Sequence, residues 1–163
     1  MSEISRQTLN DFIERYRKLL LSQQTLLLST ASVNGVPNIS YAPFVRDCGG
    51  RFYVYISQLA GHTANLLDNP RASIMIVRSE SESRNLFARE RAVFNCSAKE
   101  ITRGTENYRQ QIQALQDKFG QVVGVLSALS DFHLFALLPE SGRYVAGFSQ
   151  AFTINVGDDS LDR

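Results

Sequence analysis

From Tyr55 to Pro70 the chain runs out of an aromatic, strand-like stretch, through Ser57-Gln58-Leu59-Ala60-Gly61-His62-Thr63, into a short helix-like segment that ends at Asn69-Pro70. Backbone N–H groups at a helix start lack intrahelical partners and point outward. With Ser57, His62 and Thr63 beside them, they offer a place for a phosphate or a carboxylate. The same histidine reads equally as a cap, and both readings stay open at this point.

A second set of groups lies between Arg78 and Arg91. Arg78, Arg84, Arg89 and Arg91 alternate there with Glu80, Glu82 and Glu90, a pattern that serves an anion site or a solvated loop. Asp131 stands just before the apolar stretch Phe132 to Leu138, as a functional carboxylate or as the residue that closes a turn. His133 alternates with Phe132 and Leu134 and reads as a strand histidine satisfied by a hydrogen bond. Tyr41, Tyr53 and Tyr55 read as strand aromatics that pack. The sequence has no Gly-x-Ser-x-Gly elbow, no His-Glu-x-x-His and no cysteine beside a base. Chemistry must therefore come from a bound cofactor that the protein positions.

Several elements have to place these groups. Leu9, Phe12, Ile13, Tyr16, Leu19 and Leu20 recur at helical spacing behind Ser5 as N-cap, which predicts a helix over about 5–21. Thr25 to Ser32 reads as a strand, joined through Asn34-Gly35 to a second from about Val36 to Val45. Asp47-Cys48-Gly49-Gly50 turns the chain into a third strand, Arg51 to Ile56, completing a meander. A helix over about 60–67, a strand over 72–77, the polar separator 78–85 and a strand over 92–101 follow. Helices are predicted over about 105–119, with Tyr108, Ile112, Leu115 and Phe119 on one face, and over 121–129. Strands at 132–138 and 143–148, joined by a turn at Pro139-Glu140-Ser141-Gly142, close the set before a tail at about 157–163. Antiparallel strands with helices inserted among them predict a mainly β, barrel-like single domain over 1–163.

Composition narrows the class further. With 163 residues, 44% of them hydrophobic, the chain can bury a core without staples. A net charge of +1 gives no footprint for nucleic acid or an anionic membrane surface. No apolar run, Leu26-Leu27-Leu28 included, is long enough to span a bilayer. Met1 to Gln7 lacks the basic start and apolar core of an export signal, and Cys48 and Cys96 have no metal spacing, so the expected setting is a reduced cytoplasm.

Five segments in order, Pro37-Asn38-Ile39-Ser40-Tyr41-Ala42-Pro43-Phe44-Val45, His62-Thr63-Ala64-Asn65-Leu66, Leu86-Phe87-Ala88-Arg89, Asp131-Phe132 with Leu134-Phe135, and Val145-Ala146-Gly147-Phe148, together resemble one family. It is the FMN-binding split-barrel superfamily of pyridoxamine 5′-phosphate oxidase, and within it the haem-utilisation branch of the HugZ/HutZ type. The resemblance extends from about Leu19 to Asp159. It implies an antiparallel split barrel that forms a homodimer, with cofactor grooves shared by the two subunits.

The resemblance also implies roles. Ser57, His62 and Thr63 take the positions that hold the FMN phosphate, with Ser40 and Tyr41 near the ring system. His62 stands where the pyridoxamine oxidases carry a lysine, and an imidazole in that place weakens a phosphate site near neutral pH. Haem is the other ligand implied. Asp131 matches an aspartate that assists the iron's axial histidine, and the Phe-Ala-Arg segment places Arg89 and Arg91 near the propionates. The axial histidine itself, carried by the family's C-terminal extension, has no counterpart in Gly157 to Arg163, and the chain's histidines are His62 and His133. Three explanations stay open: a lost tail, a natural chain that runs further, or haem bound in another way. The resemblance implies oxygen-dependent haem degradation first, with Arg91 on a propionate and Asp131 polarising the proximal side. The alternatives are an FMN-dependent oxidoreductase or flavin-binding protein, and a haem carrier.

Overall fold

The computed structural model describes residues 3–163, with side chains from residue 8 onward. Eight strands form: β1 (Thr25–Ala31), β2 (Pro37–Arg46), β3 (Phe52–Ser57), β4 (Arg71–Val77), β5 (Arg91–Glu100), β6 (Phe132–Gly147), β7 (Gln150–Asn155) and β8 (Ser160–Asp162). Four helices accompany them: α1 (Glu3–Ser22), α2 (Gly61–Asp68), α3 (Glu106–Phe119) and α4 (Val122–Ser127). The strands lie in the order β3-β2-β1-β4-β5-β6-β7-β8, and a further β3–β6 pairing closes the first six into an antiparallel barrel. The expected barrel architecture is thus the observed one. None of the described helices is long and apolar enough to cross a membrane.

Strand alternation builds the barrel interior. Leu26 and Leu28 of β1, Ala72, Ile74 and Ile76 of β4, and Ala92, Phe94 and Cys96 of β5 all point inward and are buried. Phe44, Phe52 and Phe94 meet at its centre, with ring centroids 5.7 and 5.2 Å apart along that chain. Each such side chain contributes roughly 1.5–3 kcal/mol by leaving water. The helix α1 closes one side, where Phe12 contacts Phe152 and Tyr16 contacts Tyr144 at centroid distances of 4.7 and 5.4 Å. At its end the Tyr16 hydroxyl donates to Asp159 at 3.0 Å, while Arg46 holds the same carboxylate at 2.7 Å.

The strand β3 is buried on both faces, which explains its unbroken run of apolar residues. Its inner face fills the barrel. Its outer face, through Tyr53 and Tyr55, packs with Leu134 and Ala136 of β6 against Tyr108, Leu115 and Val123 of α3 and α4.

Four expectations need correction. First, residues 132–147 make one strand, not two strands and a turn. The register against β5 shifts between Asn95 and Cys96, so Asn95 faces Ser141 and Cys96 faces Pro139. That bulge bends β6: its first half closes the barrel on β3 and its second half carries β7. Gly142 is there for proximity, since an added Cβ would lie 2.9 Å from Cδ1 of Phe94 and 3.0 Å from Cβ of Ile154. Second, residues 150–155 and 160–162 add β7 and β8, where the sequence reading placed no strand and a tail. Third, the backbone is already helical at Ser5, so the helix does not start there; the side chain expected to cap it lies outside those described. The first hairpin is also wider than a two-residue turn. Ala31 pairs with Pro37, and Gly35 adopts a φ of +79° within the connection.

Candidate functional site

The turn between β3 and α2 forms a polar rim. Ser57 ends β3, its hydroxyl 3.5 Å from Oδ2 of Asp131 while accepting from the Leu59 N–H at 3.2 Å. The Gln58 N–H donates to the Asp131 carbonyl at 2.6 Å. Asp131 therefore stands beside Ser57. Thr63 is fully buried, and its hydroxyl donates to the Ser57 carbonyl at 2.6 Å. Its oxygen braces the turn and does not face outward. Ala60 occupies the α2 N-cap and supplies no side-chain cap.

His62 is the neighbour of Thr63 on the first turn of α2. Burial lowers its pKa below the usual imidazole value, so the ring is neutral near physiological pH. The turn consequently brings hydroxyls and an imidazole together without a fixed positive charge. The helix α2 is anchored over the barrel mouth by Asn65, which donates to the Thr30 hydroxyl at 3.0 Å, and by Asn69, which donates to the Ala31 carbonyl at 3.2 Å.

His133 extends the rim. Its Nδ1 lies 2.6 Å from Oε1 of Glu100 and its Nε2 lies 3.2 Å from Oε1 of Gln58, so both ring nitrogens are engaged. Behind it, Arg103 donates to the carbonyls of Ser127, Leu129 and Phe132 and fixes the segment that delivers Asp131.

The second grouping lies on the outer face of the barrel wall. Arg91, Val93 and Asn95 of β5 alternate with the buried Ala92 and Phe94, and Ser141, Arg143 and Val145 of β6 do the same around buried Tyr144. These residues and Gly142 line a cavity of about 390 Å³. Arg91 donates from Nη1 to the Arg89 carbonyl at 2.9 Å, and its other donors have no partner among the described residues. Arg89 turns the opposite way: Nε donates to the Arg78 carbonyl at 2.6 Å and Nη1 approaches Glu80 at 3.6 Å. The two arginines named together in the sequence thus serve different surroundings.

Ser40 and Tyr41 also part company. Ser40 pairs with the buried Leu28 and donates to its carbonyl at 3.3 Å. Tyr41 faces outward and is 67% exposed, in a cross-strand row that continues through Leu27, Met75, Val93 and Arg143. Tyr41 therefore shares its face with Arg91, and Ser40 does not.

Arg91 and Asp131 lie far apart in one chain. Arg91 pairs with Val145 at one end of the β5–β6 ladder, and Glu100 pairs with Phe135 at the other, near Asp131. The length of β5 between them is about 30 Å at the usual rise per residue.

Sequence reasoning passed over Arg143 and the buried cluster around Glu90. Arg78 places Nε and Nη2 each 2.6 Å from Oε2 of Glu90, and the Tyr144 hydroxyl donates to the other carboxylate oxygen. Burial first, and then this bond, push the Tyr144 pKa far up. The signal for Arg143 was present: Ser141-x-Arg143-x-Val145 keeps one alternation phase, but the turn expected at 139–142 hid it. Among the described residues, no group of three or more His, Cys, Asp or Glu is arranged to hold a metal ion.

Comparisons with known proteins bear on this arrangement. The profile of the pyridoxamine 5′-phosphate oxidase family matches residues 12–146. The chain is 44% identical over 140 residues to the haem oxygenase HutZ of Vibrio cholerae, covering 86% of this chain and 78% of that one. A crystal structure of HutZ from Vibrio cholerae, described as a haem storage protein, superposes with a TM-score of 0.75 at 40% identity, over 78% of this chain and 89% of that one. Campylobacter jejuni ChuZ superposes with a TM-score of 0.83 at 30% identity, over 94% of this chain and 63% of that one.

Proposed function

The chain belongs to the pyridoxamine 5′-phosphate oxidase family, as a HutZ-type member, and from that premise we propose that it binds haem at the outer-face cavity of a homodimer and supports its oxygen-dependent degradation. The observation that carries the reading is the cavity itself. Arg91 stands at its edge, Val93 and Val145 form its walls, and no carboxylate of the described residues lines it. A flat apolar ring with acidic groups on one edge meets both requirements, because the walls take the ring and the guanidinium takes a carboxylate.

Bound haem supplies the oxygen chemistry. The chain's own residues bind and orient it. Arg91 is held by the Arg89 carbonyl, so its free donors keep one direction towards a propionate. Asp131 is held beside Ser57 and braced through Gln58, so its carboxylate has a fixed place from which it would polarise a group bound to the haem.

Arg91 and Asp131 lie at opposite ends of the β5–β6 ladder. A site that uses both needs Arg91 from one subunit and Asp131 of the partner subunit. Part of the outer face that carries Arg91 is apolar and uncovered: Ile39 is 71% exposed and Tyr41 67%. Free thiols at Cys48 and Cys96 support a reduced, cytoplasmic setting. The FMN reading is the weaker one. Ser57, His62 and Thr63 lack a fixed cation, and the Thr63 hydroxyl is committed to the backbone.

A visible spectrum of the purified protein, repeated with stoichiometric haemin and then with ascorbate, tests the proposal. A sharpened Soret band that decays with ascorbate is expected. A stable band points to a carrier, and a flavin spectrum that haemin leaves unperturbed overturns the haem reading.

A further inference from the structure

We infer that Arg143 is the second cation of the outer-face cavity and that it acts with Arg91 to hold two carboxylates of a single ligand. The inference rests on the haem reading above and adds a selection rule to it: the site prefers a diacid.

The ladder sets the geometry. Arg91 pairs with Val145 and Val93 pairs with Arg143, so the two arginines are diagonal neighbours on one face. Diagonal partners on an antiparallel pair lie about 7–8 Å apart at the backbone. Long guanidinium side chains from such positions can reach two acidic groups on one edge of a ligand. Val93 and Val145 occupy the other diagonal, between the charges, and give the ligand's body an apolar floor.

The electrostatic setting separates Arg143 from the other arginines. Among the described residues Arg143 has no hydrogen-bond or ion-pair partner. The other arginine-rich hollow, of about 310 Å³ beside the 78–90 loop, is lined by Glu82 and Glu90 as well. There Arg15 already donates to the Ala146 carbonyl at 3.0 Å, and Arg78 and Arg89 are engaged in the loop. That hollow is a braced structural joint. Among the described residues, the lining of the Arg91–Arg143 cavity has two cations and no carboxylate. Asp162 follows Arg143 in the same cross-strand row through Thr153, but two strands away, at about 9–10 Å. An unneutralised pair of guanidinium groups repels itself until an anion arrives, and two carboxylates satisfy it where one leaves a surplus charge.

The test titrates haemin, and haemin whose two propionates are methyl esters, into the wild type, Arg143→Gln and Arg143→Lys, with the Soret band as readout. Wild type should bind haemin about tenfold or more tightly than the diester. Arg143→Gln should lose about that factor for haemin, lose nothing further for the diester, and keep the wild-type melting temperature. Arg143→Lys should recover part of the loss, because it restores the charge without the fork. An Arg143→Gln variant that binds haemin like the wild type overturns the assignment of Arg143 alone. Equal losses for haemin and diester also overturn it, since they place the residue in folding or shape and not on a propionate. A wild type that binds neither ligand overturns the haem reading together with the inference.

Discussion

Arg78 and Glu90 form a buried ion pair in which two guanidinium nitrogens, Nε and Nη2, sit 2.6 Å from one carboxylate oxygen. The other oxygen accepts from Tyr144, and Glu90 is 7% exposed. The pair ties the end of β4 to the start of β5, where the Arg78 N–H also donates to the Glu90 carbonyl at 3.0 Å. It lies immediately before Arg91 and fixes where that residue begins.

Glu90→Gln leaves Arg78 and Tyr144 facing a neutral amide. Breaking one side of a buried pair costs about 3 kcal/mol, so the melting temperature should fall by roughly 6–12 °C for a chain of this size. Thermal unfolding followed by circular dichroism checks this. A change inside the scatter of surface substitutions would show that the pair is replaceable.

Asp131→Asn keeps the size of the side chain and removes its charge. Haemin affinity should stay within about threefold of wild type, while ascorbate-driven loss of the Soret band slows about tenfold or more. A parallel loss of binding would place Asp131 in ligand capture instead.

Ile39→Asp puts a carboxylate into the exposed apolar row of β2. In the proposed dimer that charge would be buried against a second copy, and the dimer dissociation constant should rise by about a hundredfold or more. Light scattering after gel filtration reads the mass directly. A dimer of unchanged stability would move the interface to another face.

Burial lowers the His62 pKa from its ordinary 6.5. Below that value the unfolded chain takes up the proton before the folded one does, so the unfolded state binds more protons and stability falls as pH drops. The contribution is fully present above the unfolded pKa and is gone once pH passes below the folded one. Denaturant unfolding of wild type and His62→Gln at pH 7.5 and 5.5, written as a difference, isolates it from the carboxylates. The wild type should lose more stability than the variant on acidification. Equal losses would mean that the ring is as well solvated in the folded chain as in the unfolded one.

Much of this protein is legible in its residues. The hairpins at 25–46 and the helices near 61–68 and 106–119 rest on local periodicity and turn chemistry, which need no distant partner to be read. The polar turn of Ser57, His62 and Thr63 was found the same way, whereas Asp131, which the structure brings to Ser57, was singled out by the family resemblance. The alternation of Ser40 and Tyr41 in one strand also determines by itself that they face opposite sides.

What needed the tertiary structure is whatever depends on register between segments far apart in sequence. Gly142 reads locally as a turn residue. Only the approach of Phe94 and Ile154 makes it the point where three strands crowd, and only the bulge at Glu140 turns residues 132–147 into one bent strand. Arg89 and Arg91 are neighbours in sequence and go to different surroundings, while Arg91 and Arg143 are distant in sequence and share a cavity. Periodicity assigns a side chain to a face. Which faces meet, and which charges stand without a partner there, is set by pairing energies summed over the whole barrel.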